Sequence, residues 1–181
     1  MKKKYSSLSS LIKAELSTKE HEGTHKLIKK FRDVKKRGFF TLAEFLEMGR
    51  WKSHRTKKQC ARNTSKKVIR VSKEVFAAKD EAVKLEALTK LHGVAVPTAS
   101  AILMLLDPKR YGTIDIRVWE VLHLYGAVSE KPRGIGLGIK EWAIYTDFLR
   151  RYAKKFKVKA RDIERTVFKH HKRIQEGILY K

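Results

Sequence analysis

The chain has 181 residues, of which 42% are hydrophobic, a proportion that suits one folded domain and excludes a largely disordered protein. It carries 43 Lys and Arg against 19 Asp and Glu, a formal net charge of +24, which favours a polyanionic partner such as nucleic acid. A single cysteine, Cys60, excludes an intrachain disulfide and a cysteine-based metal cluster, and fits a cytoplasmic protein, nucleoid-associated if the source is prokaryotic.

The apolar segments are too short for membrane insertion. Lys13 and Glu15 interrupt the apolar stretch that follows the N-terminal lysines, so a secretory signal is not expected. The longest apolar run, Val94 to Leu106, contains Pro97 and is too short to cross a bilayer. We therefore expect a protein that does not bind membranes.

Apolar residues recur at helical spacing along the chain, and no period-two pattern of useful length predicts a strand. Thr41 and Glu44 form a capping box that predicts a helix to about Met48. The sequence predicts an all-α fold with one domain over residues 1–181, and leaves a bilobed arrangement open. Other helices are predicted at Leu8–Leu16, at Leu27–Val34, from Val68 to before Asp80, after Asp115, from Glu141 to Tyr152 and from Arg161 to Gly177.

Residues 81–106 predict two helices joined by a short hairpin. Asp80 is a good N-cap for a helix whose apolar face ends at Leu91, and Gly93 can adopt the positive φ that ends a helix. Pro97 suits the first turn of the next helix. Backbone N–H groups around such a turn are left without intrahelical partners, so we expect them to point outward and bind phosphate. The predicted DNA-binding residues of the hairpin are Gly93, Val94, Ala95, Val96 and Thr98.

This run resembles the helix-hairpin-helix of the DNA glycosylase superfamily that includes endonuclease III. The family pattern is Leu-x-Gly-Val-Gly-x-x-Thr-Ala, followed by an apolar helix and an aspartate at a helix start. Ala95 stands where the second hairpin glycine is usual, and Thr113 where a proline commonly precedes the aspartate by two residues. The iron–sulfur cluster of some members cannot form with one cysteine. The matching residues are Leu91, Gly93, Val94, Thr98, Ala99 and Asp115.

The resemblance implies a DNA N-glycosylase of base excision repair, with Asp115 as the catalytic carboxylate. Breaking an N-glycosidic bond requires stabilisation of a cationic sugar, and a carboxylate can supply this while orienting water. At a helix N-terminus Asp115 should remain ionised at neutral pH. The same position also suits an aspartate that is only a helix cap.

The resemblance further implies a monofunctional enzyme. Family members that also cut the strand use a lysine at the start of the hairpin's second helix, and Pro97 occupies that position here. Lyase activity would then require Lys140 or Lys109 to enter the site from elsewhere. Double-stranded DNA is the expected partner, and no cofactor, metal or obligate protein partner is expected.

Extraction of a base from the duplex calls for aromatic side chains that stack or wedge. The candidates are Trp51, Tyr111, Trp119 and Trp142, of which Trp119 is expected in the core. Trp51 lies beside Lys52 and Arg55 in a basic segment, which predicts a nucleic-acid contact. A buried tryptophan anchoring a polar loop is the alternative.

Two other interpretations remain open. His21-Glu-Gly-Thr-His25 matches the zinc-protease pattern, but Gly23 weakens the helix that this pattern needs and nothing in the sequence marks a third ligand. The second interpretation is a helix-hairpin-helix protein that binds DNA or RNA without catalysis, with Asp115 as a cap.

Overall fold

A computed structural model describes residues 1–177, and every regular element within that range is helical, which confirms the predicted all-α fold. None of these helices is both long enough and apolar enough to cross a membrane. The helices are α1 Leu8–Glu15, α2 Glu22–Lys30, α3 Arg32–Arg37, α4 Leu42–Lys52, α5 Lys57–Cys60, α6 Ser65–Ala77, α7 Glu81–Thr89, α8 Val96–Leu106, α9 Ile116–Leu124, α10 Ile139–Phe156 and α11 Ala160–Ile174, with a 3-10 turn at His54–Thr56.

Several helix boundaries differ from the predictions, and the last helix ends at Ile174 rather than Gly177. The predicted helix over Leu27–Val34 is divided at Phe31, whose φ of −85° and ψ of 3° interrupt the helix while its side chain is fully buried. Helix α4 continues beyond Met48 to Lys52. The capping box is present, since the Thr41 N–H donates to Glu44 Oε2 at 2.7 Å and the Glu44 N–H to Thr41 Oγ1 at 3.3 Å.

Helix α8 lies at the centre of the molecule. Every residue from Thr98 to Leu105 is buried, and α8 contacts α2, α3, α4, α7 and α10. The hydrophobic core around α8 is continuous, and it extends from Leu8 of α1 to Val167 of α11. Helix α11 packs against α1, α9 and α10. This packing brings residues of α4 and α11, which are distant in sequence, to the walls of one cleft.

Candidate active site beside a helical hairpin

Gly93 turns the chain between α7 and α8 and is packed tightly against α5. Its φ is +78°, the left-handed conformation predicted for this glycine. A Cβ atom at this position would lie 2.9 Å from both the backbone nitrogen and Sγ of Cys60. Glycine is therefore required here for the backbone conformation and for the close approach of the two segments.

Asn63 fixes the hairpin to the segment that follows α5. Its Nδ2 donates to the carbonyl oxygens of Cys60 and His92, at 2.9 and 3.0 Å, and its Oδ1 accepts from the His92 N–H at 2.9 Å. The Asn63 side chain is 3% exposed, so these bonds form out of solvent. One side chain thus satisfies backbone groups of both segments and holds the turn in place.

The hairpin presents fewer free N–H groups than predicted. The expectation is wrong for Val94, whose N–H donates to the Leu91 carbonyl at 3.2 Å, and the Thr98 N–H is used within the first turn of α8, donating to Ala95 O at 2.9 Å. Within residues 1–177, the N–H groups of Gly93, Ala95 and Val96 make no hydrogen bond. These three groups lie at an accessible helix start, where an anion is favoured.

The segment before α9 is held by α8 and α10. Ser100 Oγ accepts from the Ile114 N–H at 3.0 Å and donates to the Pro97 carbonyl at 2.9 Å. The Tyr145 hydroxyl donates to the Thr113 carbonyl at 2.9 Å. Ser100 therefore connects the hairpin directly to the residue that precedes Asp115.

Asp115 caps α9 and forms an ion pair with Lys52. Its Oδ1 accepts from the Arg117 N–H at 3.1 Å, and its Oδ2 accepts from Lys52 Nζ at 2.8 Å. The Lys52 and Asp115 side chains are 18% and 15% exposed, so both are sheltered yet reachable. Burial raises the pKa of Asp115, but the charge and hydrogen bond of Lys52 and the Arg117 N–H outweigh it and lower the pKa below its usual value. The carboxylate is consequently ionised at neutral pH.

Asp115 opens onto a cleft of about 720 Å³, a volume that suits a small molecule or a single nucleotide. Trp51, Lys52 and Arg55, identified from one basic segment, and Asp115, identified from the hairpin pattern, all line it. The hairpin residues Gly93–Thr98 do not. The remaining lining residues are Ser53, Thr56, Thr113, Arg117, Arg161, Glu164, Arg165 and Phe168.

Helix α11 forms the wall that sequence reasoning missed. Glu164 lies here with a side chain 4% exposed, and its Oε2 accepts from Arg161 Nη1. Burial raises the pKa of Glu164, although Arg161 opposes the shift. The cleft therefore holds one carboxylate with a lowered pKa, Asp115, and one with a raised pKa. No motif marks Glu164, which lies in a charged run that resembles a solvated helix face.

Trp51 is anchored at one edge and remains partly exposed at the cleft. Its Nε1 donates to Thr24 Oγ1 at 3.0 Å, and the Arg161 guanidinium lies over the ring, 5.6 Å from the centroid. Trp51 is therefore anchored by a hydrogen bond and also lines the cleft. The other aromatic candidates belong to the core, since the exposed fractions of Tyr111, Trp119 and Trp142 are 5%, 1% and 2%.

Thr113 has a buried hydroxyl at the wall of the cleft. Its side chain lines the cleft, is 4% exposed, and its Oγ1 has no hydrogen-bond partner within residues 1–177. A buried hydroxyl without a partner is costly, and because Thr113 Oγ1 is shielded from solvent, a ligand reaches it only if the cleft wall moves.

Within residues 1–177, neither the zinc-protease pattern nor the two alternative lysines, Lys109 and Lys140, are arranged for chemistry at this cleft. His21 is the N-cap residue of α2 and its side chain is exposed. Across residues 1–177 no three His, Cys, Asp or Glu side chains are grouped as metal ligands would be. Lys140 pairs with Glu130 at 3.5 Å, and Lys109 lines a different pocket, so neither enters this cleft.

Comparison with protein-family models, with curated proteins and with solved structures finds no match to this chain.

Proposed function

We propose that this protein is a DNA N-glycosylase that binds duplex DNA and releases a damaged or mismatched base by breaking its N-glycosidic bond. The observation that carries the proposal is the position of Asp115, an ionised carboxylate in a sheltered cleft, connected through Ser100 to a helical hairpin with free N–H groups. A carboxylate held in this way is suited to stabilise the cationic sugar formed as the base departs.

The surroundings of Asp115 support an extrahelical nucleotide as the ligand. Trp51 offers a partly exposed aromatic face for stacking, and Arg55 and Arg117 supply positive charge at the same cleft. The Gly93, Ala95 and Val96 N–H groups lie outside the cleft, where they are suited to the phosphates of the flanking strand.

The test is base release from duplexes that each carry one damaged or mismatched base, with alkali used to reveal abasic sites. Asp115→Asn is the informative variant because asparagine also caps helices well, so folding and DNA binding should be retained. Loss of the negative charge should lower the rate of base release by about 10²- to 10⁴-fold.

Two outcomes would contradict the proposal in different ways. Unchanged base release by Asp115→Asn would remove this carboxylate from the mechanism. Tight binding without base release across a broad panel of lesions would favour the non-catalytic helix-hairpin-helix protein, in which Asp115 is only the cap of α9.

A further inference from the structure

A second concave surface, with a volume of about 510 Å³, is lined by positively charged side chains from the end of α8 and from α10. Within residues 1–177 no acidic side chain lines it, whereas the cleft described above includes Asp115 and Glu164. We call this surface the basic groove. Its cations are Lys109, Arg110, Arg150, Lys154 and Lys157.

The three lysines of the basic groove are exposed, and their side chains make no hydrogen bond or ion pair within residues 1–177. Lys157 follows the C-terminus of α10 in the left-handed conformation, with a φ of +55°. Glycine is preferred at such a position, and any other residue is strained there. Because the Lys157 side chain is exposed, packing does not offset the strain. What this residue adds is a positive charge in the groove.

The two arginines of the basic groove are held in place by Glu81. Its carboxylate accepts from Arg110 Nη2 at 2.7 Å and from Arg150 Nη1 and Nη2 at 2.6 Å each. Arg150 Nε also donates to the Arg110 carbonyl at 3.2 Å. The groove thus combines two positioned guanidinium groups with three unpaired ammonium groups, and Glu81 offsets only part of their charge.

The basic groove lies at the opposite end of α8 from the free N–H groups of the hairpin. Free N–H groups at a helix start point outward along the axis, whereas Lys109 and Arg110 follow the end of α8. Helix α8 has 11 residues, so its two ends lie about 16 Å apart. Asp115 belongs near the first end, because the neighbouring Ile114 N–H donates to Ser100 Oγ. DNA held at the hairpin therefore leaves the basic groove open.

We propose that the basic groove binds the phosphate backbone of a second DNA segment, so that one protein molecule bridges two duplexes. Lysine binds phosphate as a flexible point charge, and none of the described residues that line the groove is an aromatic on which an unpaired base could stack. The groove thus fits a duplex backbone of any sequence. Bridging goes beyond base release, since it requires neither a lesion nor catalysis by Asp115.

The experiment uses the full chain, an undamaged duplex fixed on beads and a second, fluorescent undamaged duplex in solution. We expect the wild-type protein to retain the fluorescent duplex on the beads. Lys154→Gln/Lys157→Gln should lose most of this capture and still bind the fixed duplex. The matched control is Lys26→Gln/Lys29→Gln, which removes two exposed lysines of the same spacing on α2, outside the cleft and the groove, and should retain capture.

Lys157→Gly separates the charge of this residue from its effect on folding. Glycine relieves the left-handed strain, so the variant should unfold at a higher urea concentration than the wild type. It should nevertheless capture less of the second duplex. The dependence of capture on log salt concentration should also become shallower by about 0.9 for the phosphate contact that is lost. Undiminished capture by Lys157→Gly would contradict a phosphate contact at this residue.

The outcomes distinguish bridging from the proposed glycosylase function. Failure of the wild-type protein to capture the second duplex would overturn the proposal. Equal losses in the groove variant and the α2 control would also overturn it, because total charge rather than the groove would then determine capture. Base release is measured separately on a single damaged duplex, so a protein that bridges duplexes without releasing a base would contradict the glycosylase alone.

Discussion

At the scale of single residues, the charge of Asp115 depends on the balance between burial and Lys52. Burial is the largest influence and raises the pKa of Asp115, whereas the ammonium at 2.8 Å lowers it. Because the folded pKa lies below the ordinary value of 3.8, ionisation of Asp115 stabilises the fold above that value. This stabilisation is lost as the pH falls through the folded pKa.

Lys52→Gln should therefore raise the pKa of Asp115, because burial would act with less opposition. NMR titration of the Asp115 side-chain carboxyl carbon would measure the shift. The loss of stability that Asp115 contributes on acidification should become smaller in this variant, because the folded pKa moves toward the unfolded value. Lys140→Gln removes an equal charge outside the cleft and should leave the Asp115 titration unchanged. An unchanged pKa in Lys52→Gln would contradict the ion pair.

The residues of the site differ in how far the sequence could predict them. Asp115, Lys52, Arg55 and Trp51 follow from local patterns, namely a helix start after a hairpin and an aromatic within a basic segment. Their convergence on one cleft does not follow from those patterns, since it depends on how α4 packs against α8. Glu164 was missed because its burial results from contacts of α11 with distant segments.

At the scale of secondary-structure elements, the hairpin is defined by its contact with α5 as much as by its own turn. The sequence predicted the positive φ of Gly93, because a helix C-terminus favours glycine there. It could not predict the close approach of Cys60 or the hydrogen bonds of Asn63, which join segments about 30 residues apart. The hairpin conformation is thus a tertiary property.

Gly93→Ala should destabilise the protein more than a comparable change elsewhere. Gly38 has nearly the same φ, +77°, but a Cβ there would meet nothing within 4 Å, so Gly38→Ala should cost only about 1–2 kcal/mol in backbone strain. Gly93→Ala should cost about 1–3 kcal/mol more, because the added methyl group collides with the Cys60 backbone. Urea unfolding of both variants would give the difference, and equal losses of stability would argue against the packed hairpin.

At the scale of the whole molecule, the large positive net charge suits the binding of a polyanion. The formal net charge is +24, and this value already counts the acidic groups that pair with arginines, such as Glu81 with Arg110 and Arg150. Helical periodicity was sufficient to predict the all-α fold, because each helix carries its own apolar face. The arrangement of those helices required long-range contacts that periodicity does not encode.

Duplex affinity should fall steeply as salt is added, because each phosphate neutralised by the protein releases bound counterions. A plot of log K against log salt concentration should have a slope of about −0.9 for each phosphate contacted.

Ala95→Glu, which places a negative charge at the exposed start of α8, should weaken binding of an undamaged duplex. Val83→Glu makes the same charge change at an exposed site of α7, where Val83 is 49% exposed, and should weaken binding less. Equal effects of the two variants would mean that net charge alone, rather than the hairpin, determines how the protein binds DNA, and a slope near zero would contradict a phosphate-binding surface altogether.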